Sequence, residues 1–474
     1  MTLPAKFVER VLRDLGGTEG AALCAALDAE PPVSVRLNPA KTGADTLPAG
    51  PDAGLPVPEA AGLPALAIAG RVPWSRDGRY LAVRPSFTLD PDFHAGAYYV
   101  QEASSQFVGH LLAAVRTEGA RILDLCAAPG GKTTLYASLA GPDGLVVANE
   151  IDRRRASVLA DNVRKWGTGN VAVTTCEPRA LGDFEAWFDV VAVDAPCSGE
   201  GMFRKDPDAR GEWSEGNVKQ CAARQDEILR EAWRALKPGG TLVYSTCTFN
   251  RDEDEGALER MAAWAGDEIA ESEETAVEDA WGIVCGRVGA FRTFRFYPHR
   301  TCGEGFFAAV ARKSFDAGGR VRAPKARRTV FAAVDRKTAG ELARWVRNPG
   351  GMRFAAVADT CYAWYAAQAD AVRTLSEALP VIYSGVALGQ VFKGVLKPDP
   401  ALAFFDGLNR GALPAAPAQE RMTLRFLRRQ DIAAGGLAEG MNLVCSRGRA
   451  LGFAKRIGAR VNNLYPNSLR IIKQ

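Results

Sequence analysis

Two cysteines, Cys197 and Cys247, follow apolar runs that are typical of buried strands. In "VVAVDAPCSGEGMFRKDP" (190–207) the run ends at Asp194, and in "GGTLVYSTCTFN" (239–250) it leads into Cys247. The carboxyl ends of neighbouring parallel strands meet at one edge of a sheet, where such sheets bind ligands. We therefore take Asp194, Cys197 and Cys247 as candidate catalytic residues, with a thiolate as the nucleophile.

A thiolate at a strand end suits a substrate carbon that is not nucleophilic by itself. Carbon 5 of a pyrimidine becomes nucleophilic only after a thiolate adds to carbon 6. A methyl group can then be transferred to carbon 5, and a base must remove the carbon-5 proton before the thiolate leaves. The acid would hydrogen-bond the ring, and Lys132 is the nearest candidate cation to favour the thiolate. This chemistry does not decide which cysteine attacks, and either one taken singly could be a buried core thiol.

The stretch "DLCAAPGGKTT" (124–134) places a glycine turn between a strand and a helix. Gly130 and Gly131 let a ligand approach the backbone, and the start of the helix offers free N–H groups to an anion. Glu150 closes the next strand 20 residues after Gly130, where an acid can bind ribose hydroxyls. These residues favour an adenosine cofactor without phosphate, S-adenosylmethionine.

Two other nucleotide-binding motifs fit this stretch less well. A phosphate-binding loop needs glycine at position 126, which is Cys126, so a nucleotide hydrolase is a weaker alternative that rests on "GGKT" and "VVAVD". The dinucleotide motif Gly-x-Gly-x-x-Gly is absent.

Alternating strand and helix patterns extend from about residue 96. Apolar runs typical of buried strands lie at 121–127, 144–150, 170–175, 188–195, 240–247 and 303–311, and helical patterns at 132–140, 153–166 and 225–236. This alternation predicts a parallel, doubly wound α/β sheet that is covered on both faces.

The regions on either side of this pattern differ from it. The N-terminus is typical of an amphipathic helix, and residues 47–70 are rich in Pro, Ala and Gly, as in a loop or insertion. The basic stretch at 318–328 is a candidate linker. Residues 422–471 indicate short strands separated by glycines, which fits a small β-rich module.

Composition and charge exclude several classes of protein. The chain has no secretory signal pattern and no run of about 18 uncharged apolar residues, so we expect a cytoplasmic protein without a membrane span. Its ten cysteines form no Cys-x-x-Cys pair and it has only three histidines, so we expect no metal site and no His-dependent triad. Residues 314–474 carry 25 basic and 11 acidic side chains, and residues 1–313 carry 34 and 44. The basic third predicts a polyanion partner, with nucleic acid as the leading candidate and a solvated surface as the alternative.

Four motifs, in order "LDLCAAPGGKTT", "NEID", "VDAPCSGEGMFRKDP" and "YSTCTF", resemble those of the Sun family of RNA cytosine carbon-5 methyltransferases. Four further stretches, "SVRLNPAKT", "YYVQEASSQ", "PHRTCGEGFF" and "LGFAKRIGARVNNLYPNSLR", are similar to the RsmF-type branch, which methylates small-subunit ribosomal RNA. The resemblance spans nearly the whole chain. It implies a Rossmann-like methyltransferase sheet with an N-terminal α/β extension and a small PUA-like RNA-binding domain.

The resemblance also implies roles for individual residues. Cys247 would be the nucleophile, Cys197 would assist release of the product, and Asp194 would contact the cytosine near the cofactor. The implied S-adenosylmethionine site comprises Cys126, Ala127, Ala128, Pro129, Gly130, Gly131, Lys132, Glu150, Glu177 and Asp194. Glu150 would bind the ribose, and Glu177 stands where the family usually has Asp. The family's Glu-Asn-Glu after the nucleophile is Glu253-Asp254-Glu255 here, and we assign no role to it.

The expected domains are an N-terminal RNA-binding region (1–95), a catalytic domain (96–313), a linker with a first C-terminal domain (314–385) and a PUA-like domain (386–474). Candidate phosphate contacts in the basic third are Arg425, Arg428, Arg429, Arg447, Arg449, Lys455, Arg456 and Arg460.

The expected partner is small-subunit ribosomal RNA, free or in a partly assembled subunit, with an unpaired or flipped target base. We expect a monomer. A non-catalytic ribosome-assembly factor is the alternative from another class, and two strand-end thiols disfavour it.

Overall fold

The structure is a computed structural model that describes residues 2–43, 63–418 and 420–473. Most of the Pro-, Ala- and Gly-rich stretch, 47–62, therefore lies outside the described residues. The N-terminal unit comprises α1 (Ala5–Leu15), α2 (Gly17–Leu27), β1 (Val33–Leu37), α3 (Pro39–Thr42), β2 (Ile68–Arg71), β3 (Gly78–Leu81), α4 (Pro91–His94) and β4 (Tyr98–Tyr99). Its strands form an antiparallel sheet in the order β2-β3-β1-β4.

The next unit carries the strand–helix alternation expected from the sequence. Its helices are α5 (Phe107–Ala113), α6 (Gly131–Ala140), α7 (Arg153–Trp166), α8 (Pro178–Gly182), α9 (Ala209–Glu212), α10 (Glu215–Ala235) and α11 (Glu255–Ala265). Its strands are β5 (Arg121–Asp124), β6 (Leu145–Asn149), β7 (Val171–Thr174), β8 (Phe188–Asp194), β9 (Leu236–Thr246), β10 (Ile269–Ala270), β11 (Val284–Val288), β12 (Phe291–Phe296) and β13 (Phe306–Lys313).

The rest of the chain forms two smaller units. The middle unit comprises β14 (Ala332–Ala333), α12 (Arg336–Ala343), β15 (Met352–Val357), β16 (Thr360–Tyr365), α13 (Ala369–Ala378), β17 (Val381–Ser384), β18 (Val386–Phe392), β19 (Val395–Pro398) and α14 (Pro400–Phe404). The C-terminal unit comprises β20 (Ala415–Pro417), α15 (Glu420–Leu427), β21 (Gly440–Ser446), β22 (Arg449–Ile457) and β23 (Arg460–Asn463).

A ten-stranded sheet forms the centre of the molecule, in the order β11-β12-β13-β9-β8-β5-β6-β7-β17, with β10 added beside β13. The five strands β7, β6, β5, β8 and β9 are parallel, which confirms the doubly wound α/β sheet. The apolar run at 303–311 belongs to β13, which pairs antiparallel with β9. An apolar run does not specify strand direction, so the sequence did not distinguish β13 from the parallel strands.

Local signals explain where the site-bearing elements begin and end. All five residues of β6 are buried, as expected of a strand with helices on both faces. Helix α7 begins after Asp152, whose side chain accepts the Arg155 N–H at 2.8 Å, and ends at Gly167 in the left-handed conformation. The parallel strands therefore stop at defined positions, and the site residues follow those positions directly.

The smaller units pack firmly against this sheet. Strand β17 pairs antiparallel with β7, so the middle unit extends the central sheet. The C-terminal unit packs on α4 of the N-terminal unit, where His94 Nδ1 lies 3.1 Å from the Tyr465 hydroxyl. Among the described residues, no helix combines the length and the apolar character needed to cross a membrane.

Candidate active site

The two candidate cysteines follow neighbouring strands of the central sheet. Strands β8 and β9 are paired in parallel, with Asp194 opposite Ser245. The Ser245 hydroxyl donates a hydrogen bond of 2.8 Å to Asp194. Cys247 follows the last residue of β9, and Cys197 lies in the loop after β8. The structure therefore brings Asp194, Cys197 and Cys247 to the same edge, as the sequence predicted.

The thiols of Cys197 and Cys247 are in direct contact. Their sulfur atoms are 3.2 Å apart and both thiols are free. The Cys247 backbone N–H also points at the Cys197 sulfur, at 3.3 Å. The hydrogen bond to Cys247, together with burial, raises the pKa of the Cys197 thiol well above its ordinary value. Either cysteine can donate its S–H group to the sulfur of the other.

A buried carboxylate, Glu253, joins the two cysteine loops. It accepts the Ser198 N–H at 2.9 Å, beside Cys197, and the Asn250 side-chain amide at 2.6 Å. It also accepts the Gln225 amide of α10 at 2.9 Å. The hydroxyls of Ser198 and Thr248 lie 3.0 Å apart and close the connection beside Cys247. Because these bonds are buried and short, they hold the sulfur atoms at a fixed separation.

A second buried carboxylate, Glu200, attaches this region to helix α1. It accepts a 2.6 Å hydrogen bond from Arg10 and a 2.9 Å bond from the Trp213 indole. It also accepts the Phe249 N–H at 3.1 Å. The sequence analysis assigned nothing to Glu200, Arg10 or Glu253. Glu200 lies in the quoted "SGEGMF" stretch, and Glu253 belongs to the acidic triplet after Cys247.

Gly201 shows how closely the two cysteine motifs pack. Its N–H donates to the Cys247 carbonyl at 2.9 Å. A Cβ atom at this position would lie 2.4 Å from the Gly305 carbonyl oxygen. Only glycine therefore allows the "SGEG" loop to pass between Cys247 and the "CGEG" loop.

Lys132 pairs with the acid and not with a thiol. Its ammonium lies 2.8 Å from Asp194 and 5.1 Å from the centre of the Phe306 ring. The sequence analysis named Lys132 as a cation that could favour a thiolate. In the structure Lys132 lies at the start of α6, and its direct ionic contact is with Asp194 at the end of β8.

The loop between β5 and α6, residues 125–130, approaches the same edge of the sheet. The Pro129 carbonyl accepts hydrogen bonds from Asn162 at 2.9 Å and from the Tyr99 hydroxyl at 3.2 Å. Gly130 has a φ of 110°, and a Cβ there would lie 3.0 Å from a Leu159 methyl carbon. No side chain caps α6, so its first N–H groups are available to an anionic ligand.

Two buried charged groups support this loop. Asp124 ends β5 and accepts the Thr133 hydroxyl at 2.6 Å, and burial raises its pKa to about 7. Arg36, from β1, donates to the Gly131 carbonyl at 3.0 Å and to the Thr134 hydroxyl at 2.6 Å. The N-terminal unit therefore braces the first turn of α6. Arg36 lies in the "SVRLNPAKT" stretch, and the sequence analysis gave it no role.

The remaining predicted cofactor residues follow the next two strands. Glu150 is buried at the end of β6, with Arg155 3.3 Å away and the Asp152 N–H bonded to it at 3.0 Å. Cys126 is half-buried, and burial together with the nearby carboxylates Asp124, Asp194 and Glu150 raises its pKa. Glu177, after β7, is exposed. Ile151 is 54% exposed. The sequence analysis did not single out this residue, although an exposed apolar residue directly after a strand-end acid indicates a surface for an apolar part of a ligand.

Two features lie away from the thiols. A cavity of about 1230 Å³ lies between the N-terminal, central and middle units, with Trp74, His110 and Tyr365 in its wall, and none of the predicted site residues lines it. Within the described residues, no cluster of three or more His, Cys, Asp or Glu side chains could hold a metal ion.

The candidate phosphate contacts of the basic third differ in their surroundings. Arg447 and Arg449 lie 2.8 and 2.9 Å from the buried Asp92 of α4. These two arginines thus connect the C-terminal and N-terminal units. Lys455 and Arg460, around the β22–β23 turn, are exposed.

Three family models match this chain: 16S rRNA methyltransferase RsmB/F over residues 111–312, the N-terminal domain of 16S rRNA methyltransferase RsmF over 3–103, and the methyltransferase RsmF PUA domain over 417–471. The chain is 32% identical to "Ribosomal RNA small subunit methyltransferase F" of Shewanella loihica, over 84% of this chain and 83% of that protein. It is also 32% identical to the protein of that name from Escherichia fergusonii, over 84% of both.

Two solved structures are similar. A methyltransferase homolog protein from Pyrococcus horikoshii matches with a TM-score of 0.50 and 27% identity, over 66% of this chain and all of the other. NSun6 from Pyrococcus horikoshii, crystallised with SFG, matches with a TM-score of 0.53 and 20% identity, over 65% and 98%. At that identity the second likeness shows the fold.

Proposed function

Because this chain belongs to the RsmF family of 16S rRNA methyltransferases, we propose that it methylates carbon 5 of a cytosine in small-subunit ribosomal RNA through a covalent adduct of Cys247. The observation that carries this proposal is the 3.2 Å contact between the sulfur atoms of Cys197 and Cys247 beside Asp194. Transfer to an amine needs no thiol, whereas transfer to carbon 5 needs a nucleophile and a group that helps release it.

The proposed reaction starts at Cys247. Its thiolate forms a bond to carbon 6, and the electron pair of the carbon 5–carbon 6 double bond becomes available at carbon 5. Carbon 5 takes the methyl group, which S-adenosylmethionine supplies when bound. Loss of the carbon-5 proton restores the double bond and expels Cys247 as a thiolate. Asp194, with its charge balanced by Lys132, accepts a hydrogen bond from the cytosine amine.

The hydrogen bonding and the pKa of Cys197 change during the proposed reaction. The largest cause of its raised pKa is the hydrogen bond to Cys247, and that acceptor is consumed when Cys247 bonds to carbon 6. Loss of that hydrogen bond removes the largest cause of the raised pKa of Cys197, and burial continues to raise that pKa. In the proposed reaction Cys197 gives up its proton once the adduct has formed, and its thiolate, which lies beside the adduct, accepts the carbon-5 proton. The family resemblance implies that Cys247 is the nucleophile and Cys197 the releasing group, and the 3.2 Å contact between their sulfur atoms allows both roles.

The residues around α6 and β6 fit S-adenosylmethionine. The uncapped first turn of α6 offers N–H groups to a carboxylate, and Glu150 offers a carboxylate to ribose hydroxyls. The exposed Ile151 side chain offers an apolar surface to an adenine ring. Cys126, Ala127, Ala128, Pro129, Gly130 and Gly131 would line the methionine end, and Glu177 would approach the adenine edge.

The test uses Cys197→Ala, incubated with small-subunit ribosomal RNA and S-adenosylmethionine and then run on a denaturing gel. We expect a protein–RNA band that disappears when Cys247 is also replaced by Ala. Cys247→Ala alone should lose methyl transfer by at least about 1,000-fold, as expected for removal of a covalent nucleophile. Cys285→Ala, at an exposed cysteine of β11, is the matched control and should methylate normally.

The contrary outcomes are distinct. Methylation by Cys247→Ala with no adduct in Cys197→Ala would reverse the two thiols or refute the adduct. Methylated RNA without 5-methylcytosine would place the methyl group on another atom. RNA binding without any methyl transfer by the wild-type chain would favour an assembly factor.

A further inference from the structure

The hairpin formed by β18 and β19 lies in the stretch 313–416, which none of the three family models covers. Its turn is Lys393-Gly394, with φ angles of 51° and 80°. Two successive residues with positive φ are typical of the tight turn that joins two twisted strands. The hairpin therefore has a defined end, and β19 is the edge strand of its sheet.

One face of this hairpin exposes an aromatic ring. Phe392 and Val395 are directly opposite each other across the turn, so their side chains share a face. They are 71% and 66% exposed, although the next residue, Leu396, is buried on the other face. Strand alternation places Gln390 and Lys397 on the same exposed face. An isolated ring at a rigid turn offers a flat surface for stacking.

The ring is surrounded by positive charge. The Lys393 ammonium lies 5.4 Å from the centre of the Phe392 ring. The Lys337 ammonium would lie 3.5 Å from a Cβ placed at Gly394, so it is beside the turn. Counting only residues that the structure describes, neither these lysines nor Lys397 form an ion pair with an acid.

The acidic residues near this hairpin that Arg344 does not engage are fewer than the lysines around it, so the local net charge is positive. Glu341 is engaged with the Leu396 N–H at 3.1 Å and with Arg344 at 3.2 Å. Asp359 lies in the turn before β16, at the same end of the sheet by register. Asp335, exposed directly before α12, is near Lys337. Hydrogen bonds from the start of the helix lower the pKa of Asp335, and the charge of Lys337 helps to lower it. Three lysines therefore face two acids, Asp335 and Asp359, that Arg344 does not engage, and the positive balance suits a polyanion.

We infer that this hairpin face is a second RNA-contact surface, on which an unpaired base of the substrate RNA stacks on Phe392 while Lys337, Lys393 and Lys397 bind neighbouring phosphates. The inference rests on ribosomal RNA as the substrate class of the proposed function and not on its cytosine chemistry. A single aromatic ring among cations is the combination that binds unpaired RNA. Lys397, on the edge strand β19, also disfavours strand pairing between copies of the chain.

The hairpin is remote from the thiols. Strand β18 starts after Gly385, whose N–H donates to the Val171 carbonyl at the first residue of β7. The cofactor residues follow the opposite ends of the parallel strands. A contact at Phe392 therefore strengthens RNA binding equally in the ground state and the transition state, and it lowers KM without changing kcat.

The experiment measures binding of small-subunit ribosomal RNA, transcribed in vitro, in the absence of cofactor. Phe392→Ala should weaken binding about tenfold, the loss expected for one base–aromatic stack, whereas Phe392→Tyr should retain it. Lys393→Gln should reduce the slope of log affinity against log salt by about one. Phe315→Ala is the matched control, because Phe315 is also 71% exposed, with Arg312 5.0 Å from its ring, and we expect no change.

Unchanged RNA affinity of Phe392→Ala, or an equal loss of affinity in Phe315→Ala, would overturn this inference. A lowered kcat at unchanged affinity would also overturn it. So would a result, measured with assembled subunits as a second ligand, in which Phe392→Ala weakens binding to the subunits but not to free RNA. Weakened binding to assembled subunits alone would indicate that the hairpin contacts a ribosomal protein. Because binding is measured without methyl transfer, a failure of the cytosine chemistry would leave this test intact. Melting temperatures equal to wild type would confirm that the exposed substitutions leave the fold unchanged.

Discussion

At the scale of single residues, the site depends on two sulfur atoms whose separation is set by groups that never need to touch the substrate. Glu253 bonds to Ser198 beside one thiol and to Asn250 near the other. Burial raises the pKa of Glu253, and its hydrogen-bond donors oppose that effect. We interpret Glu253 as a positioning residue for the thiol pair.

Replacing Glu253 by Gln should lower kcat about tenfold while leaving the KM for RNA unchanged, because an amide cannot accept all the donors that the carboxylate accepts. Steady-state methylation with labelled S-adenosylmethionine gives both parameters. The fraction of enzyme trapped as an RNA adduct should also change, since the release geometry is altered.

The matched control is Asp252→Asn, one residue earlier in the same turn, whose side chain is exposed. It should retain wild-type kcat. Equal kcat values for Glu253→Gln and Asp252→Asn would show that Glu253 does not position the thiols.

At the scale of elements, the site is assembled where five parallel strands end, and β5 brings a buried acid to that edge. Asp124 is almost fully buried, with its hydrogen bond to Thr133 holding the first turn of α6. The folded pKa of about 7 is above the ordinary value of 3.8. The folded state therefore binds a proton more tightly than the unfolded chain does, and this contribution to stability is lost as pH rises from about 4 towards 7.

Asp124→Asn should remove this pH dependence. The free energy of unfolding of the variant, relative to wild type, should rise by about 2–4 kcal/mol between pH 4 and pH 8. Urea unfolding followed by circular dichroism across this range measures the difference. A relative stability that stays flat with pH, or falls, would contradict the raised pKa.

At the scale of the whole molecule, the N-terminal, middle and C-terminal units are joined to the central sheet or to one another by specific contacts. Strand β17 adds the middle unit to β7, and Arg36 connects the N-terminal unit to α6. Arg447 and Arg449 of the C-terminal unit both contact Asp92. These contacts thus hold the outer units in a fixed relation to the candidate active site.

Asp92→Ala should destabilise the contact between the C-terminal and N-terminal units by about 2–4 kcal/mol, because it leaves Arg449 largely buried without its carboxylate. Hydrogen exchange should increase in β22 and α4 before it increases in the central sheet. Arg460→Ala, at an exposed arginine of the same unit, should leave the exchange unchanged. Uniform protection in Asp92→Ala would mean that the ion pairs do not hold the two units together.

The sequence by itself determined the positions of the buried strands, the residues at their ends and the family, but not the antiparallel direction of β13. Buried parallel strands produce unbroken apolar runs, and the site residues directly follow those runs, so both signals are local in the chain. The similarity to known families confirms the family assignment and the PUA unit. The roles of Cys247, Cys197 and the cofactor residues, and the domain boundaries, remain predictions.

Only the tertiary structure decided which charges and thiols meet. It paired Lys132 with Asp194, placed the Cys197 sulfur against Cys247, and directed Arg447 and Arg449 to Asp92. These contacts join residues that are 50 or more positions apart in the chain. Their partners depend on how strands and units pack, and no local pattern of hydrophobicity or charge encodes that packing.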